Sequence, residues 1–123
     1  MKRIALTGLV LFVVFAAGVL TAIQRGWGSK LVEVSVENRT SAQVQLVKLS
    51  YTSCGGTGLL QLQELASGTN HVFKFLVCGE GEYVVEVALA DGRILKSGAY
   101  VESGYATIEQ IDATQIQSKY RSF

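Results

Sequence analysis

Two cysteines, Cys54 and Cys78, are the residues with the clearest chemistry in this sequence, and each precedes a glycine at the end of a strand-like run. A close Cys-x-x-Cys pair, typical of redox catalysis, does not occur, and the single histidine cannot complete a four-ligand zinc site. A disulfide closing this loop of about 25 residues would stabilise a small domain by roughly 3 kcal/mol in the chain-entropy model. The pair therefore predicts a disulfide and an oxidising compartment.

The other residues that could catalyse a reaction or bind a metal favour ordinary structural roles. His71, the sole histidine, opens a strand after a turn, where a hydrogen-bonded or solvent-exposed ring is common. Glu80 and Glu82, with Glu86 beyond them, could bind calcium, but such sites normally recruit several Asp or Asn side chains and this turn has none. We therefore predict no catalytic residue, no metal, no cofactor and no enzymatic activity. A small hydrolase that depends on His71 is the alternative.

Two tyrosines are candidates for binding a protein partner. Tyr100 and Tyr105 end the similar stretches Lys-Ser-Gly-Ala-Tyr and Glu-Ser-Gly-Tyr, which we interpret as consecutive strand–turn units. Because tyrosine is enriched where proteins meet, both are predicted to lie at a binding rim. The triplet Asn38-Arg39-Thr40 matches the N-glycosylation pattern and falls on a predicted turn, which would matter only in a eukaryotic secretory pathway.

The charge of the chain argues against some classes of partner. The whole sequence has 11 Lys and Arg against 10 Asp and Glu, a net charge of +1. From residue 31 onward the count is 7 basic against 10 acidic residues, or −3. A mildly acidic domain does not favour nucleic acid or anionic lipid headgroups, which attract basic surfaces. No motif indicates a small-molecule substrate.

Residues 4–23 form an apolar segment long enough to span a bilayer. Sixteen of these 20 residues are hydrophobic and none is charged. At about 1.5 Å of rise per residue they cover roughly 30 Å, the thickness of the hydrocarbon core. Basic residues precede the segment, and Trp27 suits the interface that follows it. We predict a signal-anchor over residues 1–25, with the N-terminus cytoplasmic and the next domain outside the inner membrane, in the periplasm.

A cleaved signal peptide is the alternative interpretation of this segment. The stretch Ala16-Ala17-Gly18 is the best small-residue cleavage site, although the apolar core is longer than a signal peptidase prefers. Cleavage would release the protein into the periplasm or the medium.

After a linker at residues 26–30, the hydrophobic pattern changes to a period of two. Val32, Val34 and Val36 alternate with polar residues, which is typical of a half-buried strand. Similar runs separated by turn residues predict seven strands, at residues 31–38, 42–52, 59–65, 71–78, 83–90, 93–100 and 105–111.

These runs predict an all-β domain over residues 31–111. We expect a seven-stranded antiparallel β-sandwich, immunoglobulin-like or transthyretin-like, with a small barrel as the alternative. A phase change in the second run predicts a bulge near residues 46–47, and Asp91-Gly92 predicts a type I′ hairpin. Because the chain has no proline, one common means of blocking edge strands is lacking, and the pattern allows an unprotected edge.

The tail, residues 112–123, has two interpretations: a short helix with Ile116, Tyr120 and Phe123 on one face, or a frayed end. For the whole chain we expect a membrane-anchored extracytoplasmic β-sandwich that binds a protein partner. It would be a non-catalytic accessory or assembly component of an envelope complex. The alternative is a secreted inhibitor or immunity-type protein released by signal-peptide cleavage.

Overall fold

The structure, a computed structural model, describes residues 2–24 and 30–121. One helix, α1 (Lys2–Gln24), precedes eight strands. The strands are β1 (Leu31–Asn38), β2 (Val44–Ser53), β3 (Gly56–Leu65), β4 (Asn70–Leu76), β5 (Glu80–Ala88), β6 (Ile94–Glu102), β7 (Ala106–Ile111) and β8 (Ile116–Tyr120). The part of the chain from residue 30 onward forms a compact unit of its own. Trp27 and most of the predicted linker lie outside the described residues.

The strands form two four-stranded sheets, as predicted in outline. Sheet I has the order β4-β1-β7-β8, and sheet II has the order β3-β2-β5-β6. Alternation along the strands produces the core: Val32, Val34 and Val36 of β1 are fully buried, while the residues between them are half-buried. The result is an all-β, sandwich-like domain with one apolar face of each sheet buried.

Two features of the predicted sandwich are wrong. The domain has eight strands instead of seven, because residues of the tail form β8 rather than a helix or a frayed end. The sheets are also not wholly antiparallel, since β1 pairs with β7 in parallel, with Val36 opposite Glu109. The spacing of Ile116 and Tyr120 in the sequence is compatible with a helix. In the structure these residues pair with β7, and the backbone hydrogen bonds with that strand favour the extended conformation.

The type I′ turn lies at a different hairpin from the one predicted. Asp91-Gly92 does connect β5 and β6, but Gly92 has φ 86° while Asp91 keeps a negative φ, so the turn is not type I′. Cys54 and Gly55, with φ 55° and 72°, instead form the two-residue turn between β2 and β3. Positive φ at both central residues defines type I′.

The predicted bulge near residues 46–47 is absent, because the register of β2 runs evenly past both residues. The distortion lies on β3, where Glu64 has φ 62° and its pairing with β2 is interrupted. At Glu64 the alternation of inward and outward side chains along β3 is shifted by one residue. Leu65 therefore points into the core opposite Val44, and both residues are buried.

Helix α1 covers the predicted apolar segment. Its side chains are described at Gly8 and at residues 11–22. In the described part of the chain, no helix is both long and apolar enough to span a membrane. The transmembrane helix predicted from the sequence is therefore not confirmed.

Candidate functional site

The predicted disulfide is present and links the two sheets at one end of the sandwich. Cys54 in the β2–β3 turn is bonded to Cys78, which follows β4, and their Cα atoms lie 5.0 Å apart. Next to the bond, the Ser53 hydroxyl donates to the carbonyl of Glu80 (3.2 Å) and accepts from the amide of Cys78 (3.0 Å). The disulfide predicted from the strand-end positions of the two cysteines is thus confirmed, and it connects the β2–β3 turn to the end of β4.

Asn38 forms a second connection, at the other end of β3. Its Nδ2 donates to the carbonyls of Ala42 and Leu65, each at 2.9 Å, and its Oδ1 accepts from the amide and hydroxyl of Thr40. The residue is only 1% exposed. Because both amide hydrogens are engaged and buried, the Asn-Arg-Thr triplet is a structural element in the folded domain, not an accessible glycosylation acceptor.

A polar cluster lies between the sheets, and sequence reasoning missed it. Glu109 of β7 is fully buried and accepts hydrogen bonds from the hydroxyl of Tyr83 on β5 and from that of Ser118 on β8 (2.8 Å). Since Tyr83 donates to Glu109, the hydroxyl of Thr107, 2.9 Å away, donates to the Tyr83 oxygen. Ser97 of β6 likewise donates to Ser118 over 2.9 Å. The cluster therefore joins β5 and β6 to β7 and β8.

The electrostatics of this cluster depend on hydroxyl donors. Among the described contacts of Glu109, none is with a lysine, arginine or histidine. Burial, followed by the hydrogen bond to Glu109, raises the pKa of Tyr83 well above its ordinary value, so the phenol remains a donor. In the sequence, Ala106 and Ile108 were as good candidates for the inner face of β7 as Thr107 and Glu109, so alternation offered no signal.

The residues weighed for catalysis and metal binding are spread over the domain. His71 is half-buried on β4, and its ring meets the edge of Phe73 with centroids 4.7 Å apart. Glu86 pairs with Lys96 at 2.8 Å, and this contact lowers the pKa of Glu86. Within residues 2–24 and 30–121, no three His, Cys, Asp or Glu side chains are grouped so that they could hold a metal ion.

Tyr100 lies on the outer surface of sheet II. Its side chain is 50% exposed, and its hydroxyl donates to Glu80 Oε2 (2.9 Å), with Glu102 Oε1 at 3.3 Å. These acidic neighbours, Glu80 above all, raise the pKa of Tyr100 to about 12. The same outer surface carries other large exposed apolar side chains, and we call the set the outer patch: Leu59, Val84, Ile94 and Tyr100.

Tyr105 has different surroundings. It precedes β7, is half-buried, packs against the core and meets the ring of Tyr120 edge-on at 6.0 Å. Of the two tyrosines predicted to bind a partner, Tyr100 is thus exposed, whereas Tyr105 packs against the core. That difference was invisible in two sequence stretches that look alike.

No protein-family model matches the chain, and no curated protein matches it either. A solved structure, the NMR structure of the protein from Eubacterium rectale, is similar with a TM-score of 0.50 and 15% identity. The match covers 78% of this chain and 93% of that one. At this level of identity the likeness concerns the fold alone.

Proposed function

We propose that this protein is a membrane-anchored extracytoplasmic β-sandwich that binds a protein partner as a non-catalytic accessory component of an envelope complex. The observation that carries the proposal is the outer patch on sheet II. Of the seven large apolar side chains exposed on the described strands, four belong to this one surface. Apolar groups gathered on one face, with an exposed tyrosine among them, are typical of protein-binding surfaces.

The outer patch also has polar groups that can define orientation. Val84 of β5 lies opposite Gly98, which leaves its side chain open, and Glu86, two residues along, pairs with Lys96. Tyr100 at the same face has its hydroxyl held by Glu80. An apolar surface that also contains an ion pair and an oriented phenol supports specific binding better than an apolar surface alone.

The anchor is supported by the sequence of residues 4–23 and by the surface of α1. Its described side chains are mostly apolar and exposed, including Phe12 at 68% and Phe15 at 72%. Such side chains require an apolar environment or a partner helix. The disulfide agrees with an extracytoplasmic location for the sandwich.

The immunoglobulin-like topology is the finer fold assignment that we favour. In an immunoglobulin domain the sheets have the strand orders A-B-E-D and C′-C-F-G. If β1 is equated with strand B, the neighbours β4-β1 in sheet I correspond to E-B, and the order β3-β2-β5-β6 of sheet II corresponds to C′-C-F-G. Strand β7, parallel to β1, takes the place of strand A.

Substitution on the outer patch tests the partner-binding proposal. We expect Val84→Ser and Tyr100→Ala, in the full-length chain solubilised from its membrane, to lose a partner that co-purifies with the wild type. Val72→Ser, a valine 39% exposed on the outer face of sheet I, is the matched control for Val84, which is 46% exposed. Equal retention of the partner by all three variants would exclude the outer patch.

The secreted inhibitor or immunity-type protein is the second candidate, and the mature N-terminus distinguishes it. Mass spectrometry of the protein from its host should find the residues before Gly18 still attached if the anchor is retained. A mature chain that starts close after Gly18 would support release and contradict anchoring.

A further inference from the structure

Strand β3 presents an unpaired row of backbone groups at the edge of sheet II. It has one strand neighbour, β2. A two-residue turn is closed by a hydrogen-bonded pair, here Ser53 and Gly56, and such pairs then alternate along an antiparallel ladder. The N–H and C=O groups that point away from β2 are therefore those of Thr57, Leu59, Gln61 and Gln63.

This edge lacks the features that usually block strand addition. From residue 56 to residue 63 it contains no charged residue and no proline. The edge of β4 carries Lys74 in its middle. The edge of β6 is bridged to β8 by the Ser97–Ser118 hydrogen bond. Among the four described edge strands, β3 is thus the one with a long uncharged stretch, residues 56–63.

We infer that β3 pairs with β3 of a second copy of this chain, antiparallel about a two-fold axis at Gln61. In this register the Gln61 residues of the two copies form a hydrogen-bonded pair, and each Leu59 pairs with Gln63 of the other copy. Two bonds at each of the three pairs make about six in all. The two four-stranded sheets become one continuous sheet, and the interface is isologous.

The side chains fit this register. Leu60 and Leu62 lie on the inner face of β3 and are only half-buried in one copy. The two-fold axis places Leu60 opposite Leu62 of the second copy, so four leucines meet and lose their remaining contact with water. Glu64, the one charge on β3, faces Gly58 of the other copy, and no like charges oppose each other.

Crosslinking at the axis tests the inference on the full chain in detergent. In Gln61→Cys the Cα atoms of the two new cysteines lie roughly 5.5 Å apart. A short bismaleimide should therefore link most chains into a dimer. Lys119→Cys, on the outer face of edge strand β8, is the matched control and should remain largely monomeric. Equal yields from the two variants would overturn the inference.

A charge substitution gives an independent readout. Gln61→Lys places two ammonium groups opposite each other at the axis and should shift the mass measured by light scattering from dimer to monomer. Ser50→Lys adds the same charge on the outer face of β2 and should leave the dimer intact. A wild type that is monomeric at every concentration, or a dimer that Gln61→Lys does not weaken, would contradict pairing through β3.

Discussion

The interior of the sandwich has two halves of different chemistry. One half, between β1 and β4 on one side and β2 and β3 on the other, is mostly apolar, with valines, leucines and the stacked rings of Tyr51 and Phe75, and its buried polar side chain, Asn38, lies at the end of β1. The other half, between β7 and β8 and the facing β5 and β6, contains the hydroxyls and the carboxylate of the polar cluster. We call these the apolar half and the polar half.

The contrast separates two contributions to the fold. Apolar burial is non-directional and supplies most of the free energy of folding. A buried polar cluster contributes less net stability, but its hydrogen bonds are satisfied in one geometry only. We infer that the polar half determines how β8 and β6 face each other. This leaves the edge on the β6–β8 side bridged, whereas β3 on the apolar side remains open.

The largest expected effect comes from emptying the apolar half. Phe75→Ala removes a 4%-exposed ring that stacks on Tyr51 at 4.4 Å and meets Tyr83 at 6.4 Å. The loss of contacts and the remaining cavity should lower the free energy of unfolding by about 3–5 kcal/mol. Denaturation of the full chain in detergent, followed by near-ultraviolet circular dichroism, measures it. Phe12→Ala, at an exposed position of α1, is the control, and a loss equal to the control's would disprove the contrast between the halves.

A smaller loss is expected in the polar half, and it should be shared between partners. Tyr83→Phe and Glu109→Leu should each lower the free energy of unfolding by about 1–3 kcal/mol, because each removes one side of the buried hydrogen bond between Tyr83 and Glu109. The double variant should lose clearly less than the sum, with a coupling of about 1 kcal/mol. Tyr120→Phe, 63% exposed, is the control. Additive losses would mean that Tyr83 and Glu109 act separately.

The smallest effect is a difference in pH dependence. The pKa of Tyr83 is raised by burial and by Glu109, so the folded state keeps a proton that the unfolded state releases near the ordinary tyrosine pKa. The stability from this group is complete below about pH 10 and decreases above it, by at most about 1.4 kcal/mol per pH unit. Tyr83→Phe should flatten the decline. Tyr100→Phe tests the same direction at an exposed phenol, where solvent screens the acidic neighbours and the flattening should be smaller. An equal flattening would contradict the role of burial.

Much of the fold was predictable because the apolar half follows simple alternation. The alternation predicts that Val32, Val34 and Val36 point into the core, and in the structure all three are fully buried. The polar half was not predictable, since alternation assumes that inward residues are apolar, and Glu109 and Ser118 break that assumption. The same failure explains β8, whose mostly exposed residues have no strand signal until β7 pairs with them.

The candidate binding residues show a similar division. The sequence singled out Tyr100 and Tyr105 by type, and type alone could not distinguish an exposed ring from a half-buried one. Val84 and Leu59 had no signal of their own, because they join Tyr100 only when β3, β5 and β6 share sheet II. The open edge of β3 was foreshadowed by the missing proline, but its position depended on strand order.

Local features could be derived from the amino-acid sequence alone: seven of the strands in outline, the apolar segment, and two cysteines placed at strand ends. These follow from side-chain periodicity and from residue chemistry within a few neighbours. The folded domain was needed to establish which strands pair, that β1 runs parallel to β7, and that Glu109 lies buried among hydroxyls. The physical reason is that a period of two specifies the two faces of a strand but neither its neighbours nor its register, which depend on packing between residues far apart in the chain.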